Sequence, residues 1–120
     1  MRVISVLPAD AVAIEVGKGQ HAFLLPYPRH PRVFDVVYHR LIVGAVFKWI
    51  RPHRTDWQCA ICDEKLDYRA DIVKHSVFAH FIEACRLYQV VAPAILPVGF
   101  VAHHSSKARL PWRVDAPEYR

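Results

Sequence analysis

The sequence predicts a small α+β protein: an N-terminal β-hairpin region, a central helix, and a cysteine-bearing segment that runs into a long second helix. Three observations carry this. The β-branched run Ala11–Val16 leads into Gly17-Lys18-Gly19 and the apolar run His21–Leu25 follows it, apolar residues recur at helical spacing between Val33 and Ile50, and the stretch WQCAICDEKLDYRADIVKHSVFAH spans Trp57 to His80. With 120 residues, the chain reads as one domain, 1–120, and a chain of this size buries roughly two-thirds of its unfolded surface. Its 53% hydrophobic and 22% charged content excludes a disordered tail.

The runs Ala11–Val16 and His21–Leu25 are predicted to pair as a hairpin about the glycines, with residues 3–7 (VISVL) as a further strand. Three prolines between Pro26 and Arg32 predict a loop or extended connector. In the next segment Phe34, Val37 or Tyr38, Leu41, Ala45 and Trp49 share one helical face, with Asp35 early and Lys48 late as the helix dipole prefers. This predicts a helix over 33–50, ended by Arg51-Pro52. A second helix is expected from about Arg69 to Tyr88, stopped by Pro93. Ala94 to His104 reads as one or two strands, and 105–120 as an extended basic tail.

No segment reads as transmembrane, since the longest uncharged run within 33–50 is Leu41 to Phe47, against the ~20 residues a spanning helix needs. Asp10 and Glu15 break the N-terminal apolar stretch, so no signal peptide is expected and the protein is read as intracellular. The absence of Asn and the nine prolines fit a thermophilic source. Three cysteines do not make a disulfide framework. Residues 1–50 carry six Lys/Arg against three Asp/Glu, 51–90 six against six, and 91–120 four against two. The net charge of +5 therefore lies outside the cysteine-bearing segment.

The chemistry-bearing spacing is Cys59-x2-Cys62-x12-His75-x4-His80. Two thiolates and two imidazoles complete a tetrahedral zinc shell with no vacancy for water. A redox role is the other reading of a lone Cys-x-x-Cys pair. Cys85 falls on the apolar stripe Val77, Phe81, Cys85, Tyr88 and reads as a small buried hydrophobe. His103 and His104 read as solvated, and no Ser/His/Asp set, carboxylate pair or phosphate loop predicts an enzyme or a small-molecule substrate.

The apolar frame decides between metal and redox. The stretch resembles the C2H2 zinc finger family, whose pattern places an aromatic two before the first cysteine and bulky residues four and ten after the second. Trp57, Leu66 and Ile72 stand there, with Leu66 where the family favours Phe and Ile72 where it favours Leu. The resemblance covers about a fifth of the chain and implies a ββα finger, 57–88, holding one structural zinc through Cys59, Cys62, His75 and His80. It also implies duplex DNA as partner and a regulatory role. The family's base-reading places fall on Tyr68, Ala70, Asp71 and Lys74, a set without the Arg, Asn or Gln that read bases strongly. Phosphate contacts are assigned to Arg51, Arg54, Arg69 and Lys74, with Lys107, Arg109 and Arg113 from the tail. The apolar residues past His80 (Phe81, Ile82, Ala84, Leu87, Tyr88) require the helix to be docked into the rest of the protein, and they favour the alternative, a zinc-stabilised protein-interaction module. Histidines five apart on an α-helix sit about 140° off a common face, so a widened turn at Ser76–Ala79 is expected.

Overall fold

The computed structural model describes residues 7–27 and 29–87. The expected strands at 3–7 and 94–104 and the basic tail lie wholly or mostly outside that range. Six antiparallel strands form one sheet in sequence order, curled into a half-barrel and followed by one helix. The strands are β1 (Val12–Gly17), β2 (Gln20–Tyr27), β3 (His30–Tyr38), β4 (Leu41–Ile50), β5 (Thr55–Cys59) and β6 (Lys65–Leu66), and the helix is α1 (Arg69–Leu87). The α+β class holds, as does the first hairpin. Gly17 pairs with Gln20 across a two-residue turn in which Gly19 takes φ +70°, a conformation that only glycine adopts without cost.

The central helix is not there. Residues 33–50 belong to β3 and β4, an antiparallel pair joined by a tight turn in which Tyr38 faces Leu41. His39 and Arg40 both have positive φ, 50° and 64°, the signature of the hairpin turn whose twist matches its flanking strands. The proline-rich segment takes the extended of its two expected forms: β2 runs through Pro26 to Tyr27, and β3 resumes at His30. Pro26 sits beside a register irregularity, where a missing N–H is tolerated.

A bulge in β4 sets which side chains face α1. Val36 pairs with Gly44 and Val37 with Ile42, leaving Val43 as the extra residue. The bulge resets the alternation, so that Leu41, Val43 and Val46 all join the core with Val36 and Tyr38. From Leu41 to Val46 every residue of β4 is buried, on either face. The helix contributes Ile72, Val73, Val77, Phe81, Ala84 and Cys85 to the same core. Each fully buried aliphatic or aromatic side chain there is worth about 1.5–3 kcal/mol. Tyr38 anchors one end, edge-on to Phe81 at 5.0 Å, with its hydroxyl donating to Gln20 Oε1 at 3.1 Å.

Close approach of α1 to the sheet depends on Gly44. A Cβ there would stand 3.3 Å from Ile61 Cδ1 and 3.9 Å from Ser76 Cβ. The helix is thus docked over β4, with β1 and β5 also against it, as its apolar surplus requires.

Candidate metal centre

The site is built where β5 ends. Trp57 pairs with Leu66 and Gln58 with Lys65, forming a short hairpin. Its turn is closed by Cys59 N–H donating to Glu64 O at 2.8 Å and Asp63 N–H to Cys59 O at 3.0 Å. Asp63 takes φ 67°, a left-handed position that a short polar side chain tolerates. This knuckle turns both cysteines toward α1, while Trp57, Leu66 and Ile72 pack in or against the core. The apolar frame read from the sequence therefore surrounds the site.

Cys59, Cys62, His75 and His80 come together, one ligand atom from each, all within 4.8 Å of one another. Cys62 Sγ lies 3.0 Å from His75 Nε2, and Cys59 Sγ lies 3.5 Å from His80 Nε2. A zinc tetrahedron built on ~2.3 Å Zn–S and ~2.0–2.1 Å Zn–N bonds has edges of roughly 3.3–3.8 Å. The cluster is close to that size, and its donors are positioned to hold a metal ion. Two are buried and two half-buried, and the set comes from the hairpin on one side and the helix on the other.

The thiols are poised unequally. Cys62 is pulled down to about 4, first by the hydrogen bond from the Cys59 thiol, then by the Glu64 N–H and both histidines. Cys59 is pushed up by that same bond and by burial. Metal ligation takes thiolates, so a cation between the sulfurs favours losing their protons.

The expected widening of α1 at Ser76–Ala79 is absent, and the helix is regular α throughout Arg69–Leu87. The side chains absorb the angular mismatch instead. The His75 and His80 rings approach from two sides of the helix, 5.3 Å between centroids and nearly perpendicular. His75 remains partly exposed, and His80 is buried.

Cys85 stands outside the cluster, buried in the core, where burial pushes its thiol up. Of the cations assigned to nucleic acid, Arg69 and Lys74 are exposed on the first turns of α1, as are Ala70 and Asp71, with exposed Tyr68 just before the helix. Arg51 and Arg54 both face Asp56 of the same chain: their Nε atoms lie 2.7 and 3.1 Å from its two carboxylate oxygens. Only the Arg51 contact is aligned as a hydrogen bond, and Asp56 Oδ1 is buried without one. The sequence reading missed this pair because Asp56 faces the arginines only once β4 and β5 are seen as strands. Lys107, Arg109 and Arg113 lie outside the described residues. Among the described residues no helix is long and apolar enough to cross a membrane. Set against known protein families, characterised proteins and solved structures, the chain matches none of them.

Proposed function

We propose that this chain is a non-catalytic nucleic-acid-binding module of the C2H2 kind, organised by one structural zinc ion. The observation that carries the zinc is the closed donor set of Cys59, Cys62, His75 and His80, which spans the seam between sheet and helix. Two sulfurs and two imidazoles leave no position for a reacting water, as in structural rather than catalytic zinc sites. The metal would tie the β5–β6 knuckle to α1, and so fix the angle at which the exposed start of the helix meets a partner.

Duplex DNA is the partner this reading names, and a regulatory role follows from it. Support comes from the net charge of +5 and from Arg69 and Lys74 on the exposed first turns of α1. Affinity would come from phosphates, since Tyr68, Ala70 and Asp71 offer little to base edges. A second reading, a protein-interaction module, is favoured by the charge around the knuckle: Asp63, Glu64, Asp67 and Asp71 outnumber Lys65, Arg69 and Lys74.

Filter binding of the zinc-loaded protein to duplex DNA across a salt series separates the two. Phosphate contacts from about five cations give a log–log slope near −4 to −5. A folded, zinc-loaded protein that binds neither duplex nor single strand at low salt supports the interaction module.

A further inference from the structure

The face of the sheet turned away from α1 carries a feature the zinc site does not explain. Side chains alternate along a strand, so Phe47 and Trp49 point opposite to Val46 and Lys48, and Lys48 Nζ indeed lies over the ring of Trp57, 5.8 Å from its centroid. Residues Arg32, Val33, Phe47, Lys48 and Trp49 line an open cleft of about 240 Å³. Trp49 is 44% exposed, and its ring is oriented by Nε1 donating to Gln58 Oε1 at 2.9 Å. A large indole held at one angle at the mouth of a cleft is costly to leave in water.

Directly across from Trp49 on β5 stands Asp56. It gathers Arg51 and Arg54 from the two ends of the β4–β5 turn, each through Nε. The turn itself is closed by Arg51 N–H donating to Arg54 O at 2.8 Å. Two guanidinium groups on one carboxylate leave a net positive charge at the cross-strand neighbour of the indole. Fixed arginine forks match phosphate oxygens, and an oriented indole offers a stacking plane to any base.

We propose that this face is a binding site for single-stranded nucleic acid, with a base stacked on Trp49 in the cleft and the adjoining phosphate held by Arg51 and Arg54. Asp56 is a positioning residue that aims the two arginines. Single strands are the fitting occupant because a duplex keeps its bases stacked on one another, away from an indole on a sheet. The assignment deepens the nucleic-acid reading and rests on it, but it places the contact on the face opposite the finger helix.

The test is fluorescence anisotropy of the full-length, zinc-loaded protein with a labelled oligothymidylate of about ten nucleotides, and with a duplex of equal length. Trp49→Ala, Trp49→Phe, Arg54→Ala and the double variant Arg69→Ala/Lys74→Ala are compared with the parent at equal zinc content. The parent is expected to bind the single strand. Trp49→Ala should weaken that binding roughly tenfold to a hundredfold while Trp49→Phe restores most of it, because stacking survives in any aromatic plane. Arg54→Ala should weaken it and flatten the salt slope by about 0.7, the change expected for one phosphate on a single strand. Single-strand binding unchanged in Trp49→Ala overturns the proposal. If Trp49→Ala and Arg54→Ala bind both forms as the parent does and only the Arg69/Lys74 variant loses binding, the surface is the helix: the function reading survives and this site does not. Absence of binding to both forms overturns both.

Discussion

His75 Nε2 and Cys62 Sγ lie 3.0 Å apart, joining the second turn of α1 to the knuckle that follows β5. This contact and its counterpart, Cys59 with His80, are where the helix is pinned to the sheet by polar atoms. With metal absent, the seam would hold two cysteines and two histidines crowded together without the ion that makes the crowding favourable. Chelation is therefore expected to loosen residues 57–87 first, with loss of helical circular dichroism and a fall in melting temperature. Structural zinc is worth on the order of 10–16 kcal/mol in finger peptides. Metal analysis should give one zinc per chain in the parent and none in Cys62→Ala or His75→Ala. Unchanged melting after thorough chelation removes the zinc reading.

Cys85→Ala should keep zinc at one per chain. The side chain is buried in the core beside Phe81 and Ala84 and outside the donor cluster, so its loss leaves a small cavity costing about 1–2 kcal/mol. Metal content and urea midpoint measured on the same preparation separate the two effects. Loss of metal in this variant would mean that the ligand set is wrong.

Ser76→Ala should be neutral or stabilising, by up to about 1–2 kcal/mol. The Ser76 hydroxyl is buried against β4 without a hydrogen-bond partner, and an unsatisfied buried polar group costs about that much. Alanine is also the better helix former, by a few tenths of a kcal/mol. A clear drop in the denaturation midpoint would show that the hydroxyl is satisfied in solution.

These sites differ in how far the sequence discloses them. The four-donor cluster was legible because its residues and its apolar frame are local, all within Trp57–His80, and such spacing is short-range information. The β3–β4 hairpin was not. Its turn uses His39 and Arg40 at positive φ where Asn or Gly would have signalled a turn. Its second strand is buried on both faces from Leu41 to Val46, so it shows no alternation. The bulge at Val43 then spaces the core residues in a way that imitates a helical face. The β-branched residues Val33, Val36, Val37, Ile42, Val43 and Val46 were the true signal. The regular helix between His75 and His80 was misjudged for a different reason: backbone azimuth was treated as decisive, although an imidazole is long enough to reach around a turn.

Arg51→Ala should destabilise more than Arg54→Ala. Asp56 is buried, and its aligned hydrogen bond comes from Arg51 at 2.7 Å, whereas the Arg54 contact at 3.1 Å lacks that alignment. Both arginine side chains are substantially exposed, so solvent screening limits the loss to about 1–2 kcal/mol for Arg51 and below about 1 kcal/mol for Arg54. Urea midpoints of the two variants give the order directly. Equal effects would mean that the carboxylate takes either partner indifferently.

The closest approach of α1 to the sheet offers the sharpest test of how the metal centre is supported. Gly44 carries no side chain at the point where Ile61 Cδ1 would stand 3.3 Å from a Cβ, with Ser76 Cβ just behind at 3.9 Å. Gly44→Ala asks only a methyl terminus to give by a few tenths of an ångström. It also gains about 0.5–1 kcal/mol from reduced backbone freedom in a strand, so its net effect should be small. Gly44→Val adds two further carbons in the same gap, and overpacking of this kind costs about 1–3 kcal/mol. The displaced residue is Ile61, which lies between Cys59 and Cys62 and is itself buried. Pushing it outward moves the knuckle that presents both sulfurs. The valine variant should therefore melt lower and also yield zinc to a chromophoric chelator more readily than the parent, while the alanine variant does neither. A valine variant that melts lower but holds zinc as tightly as the parent would separate helix docking from metal geometry, and the knuckle would then be rigid on its own.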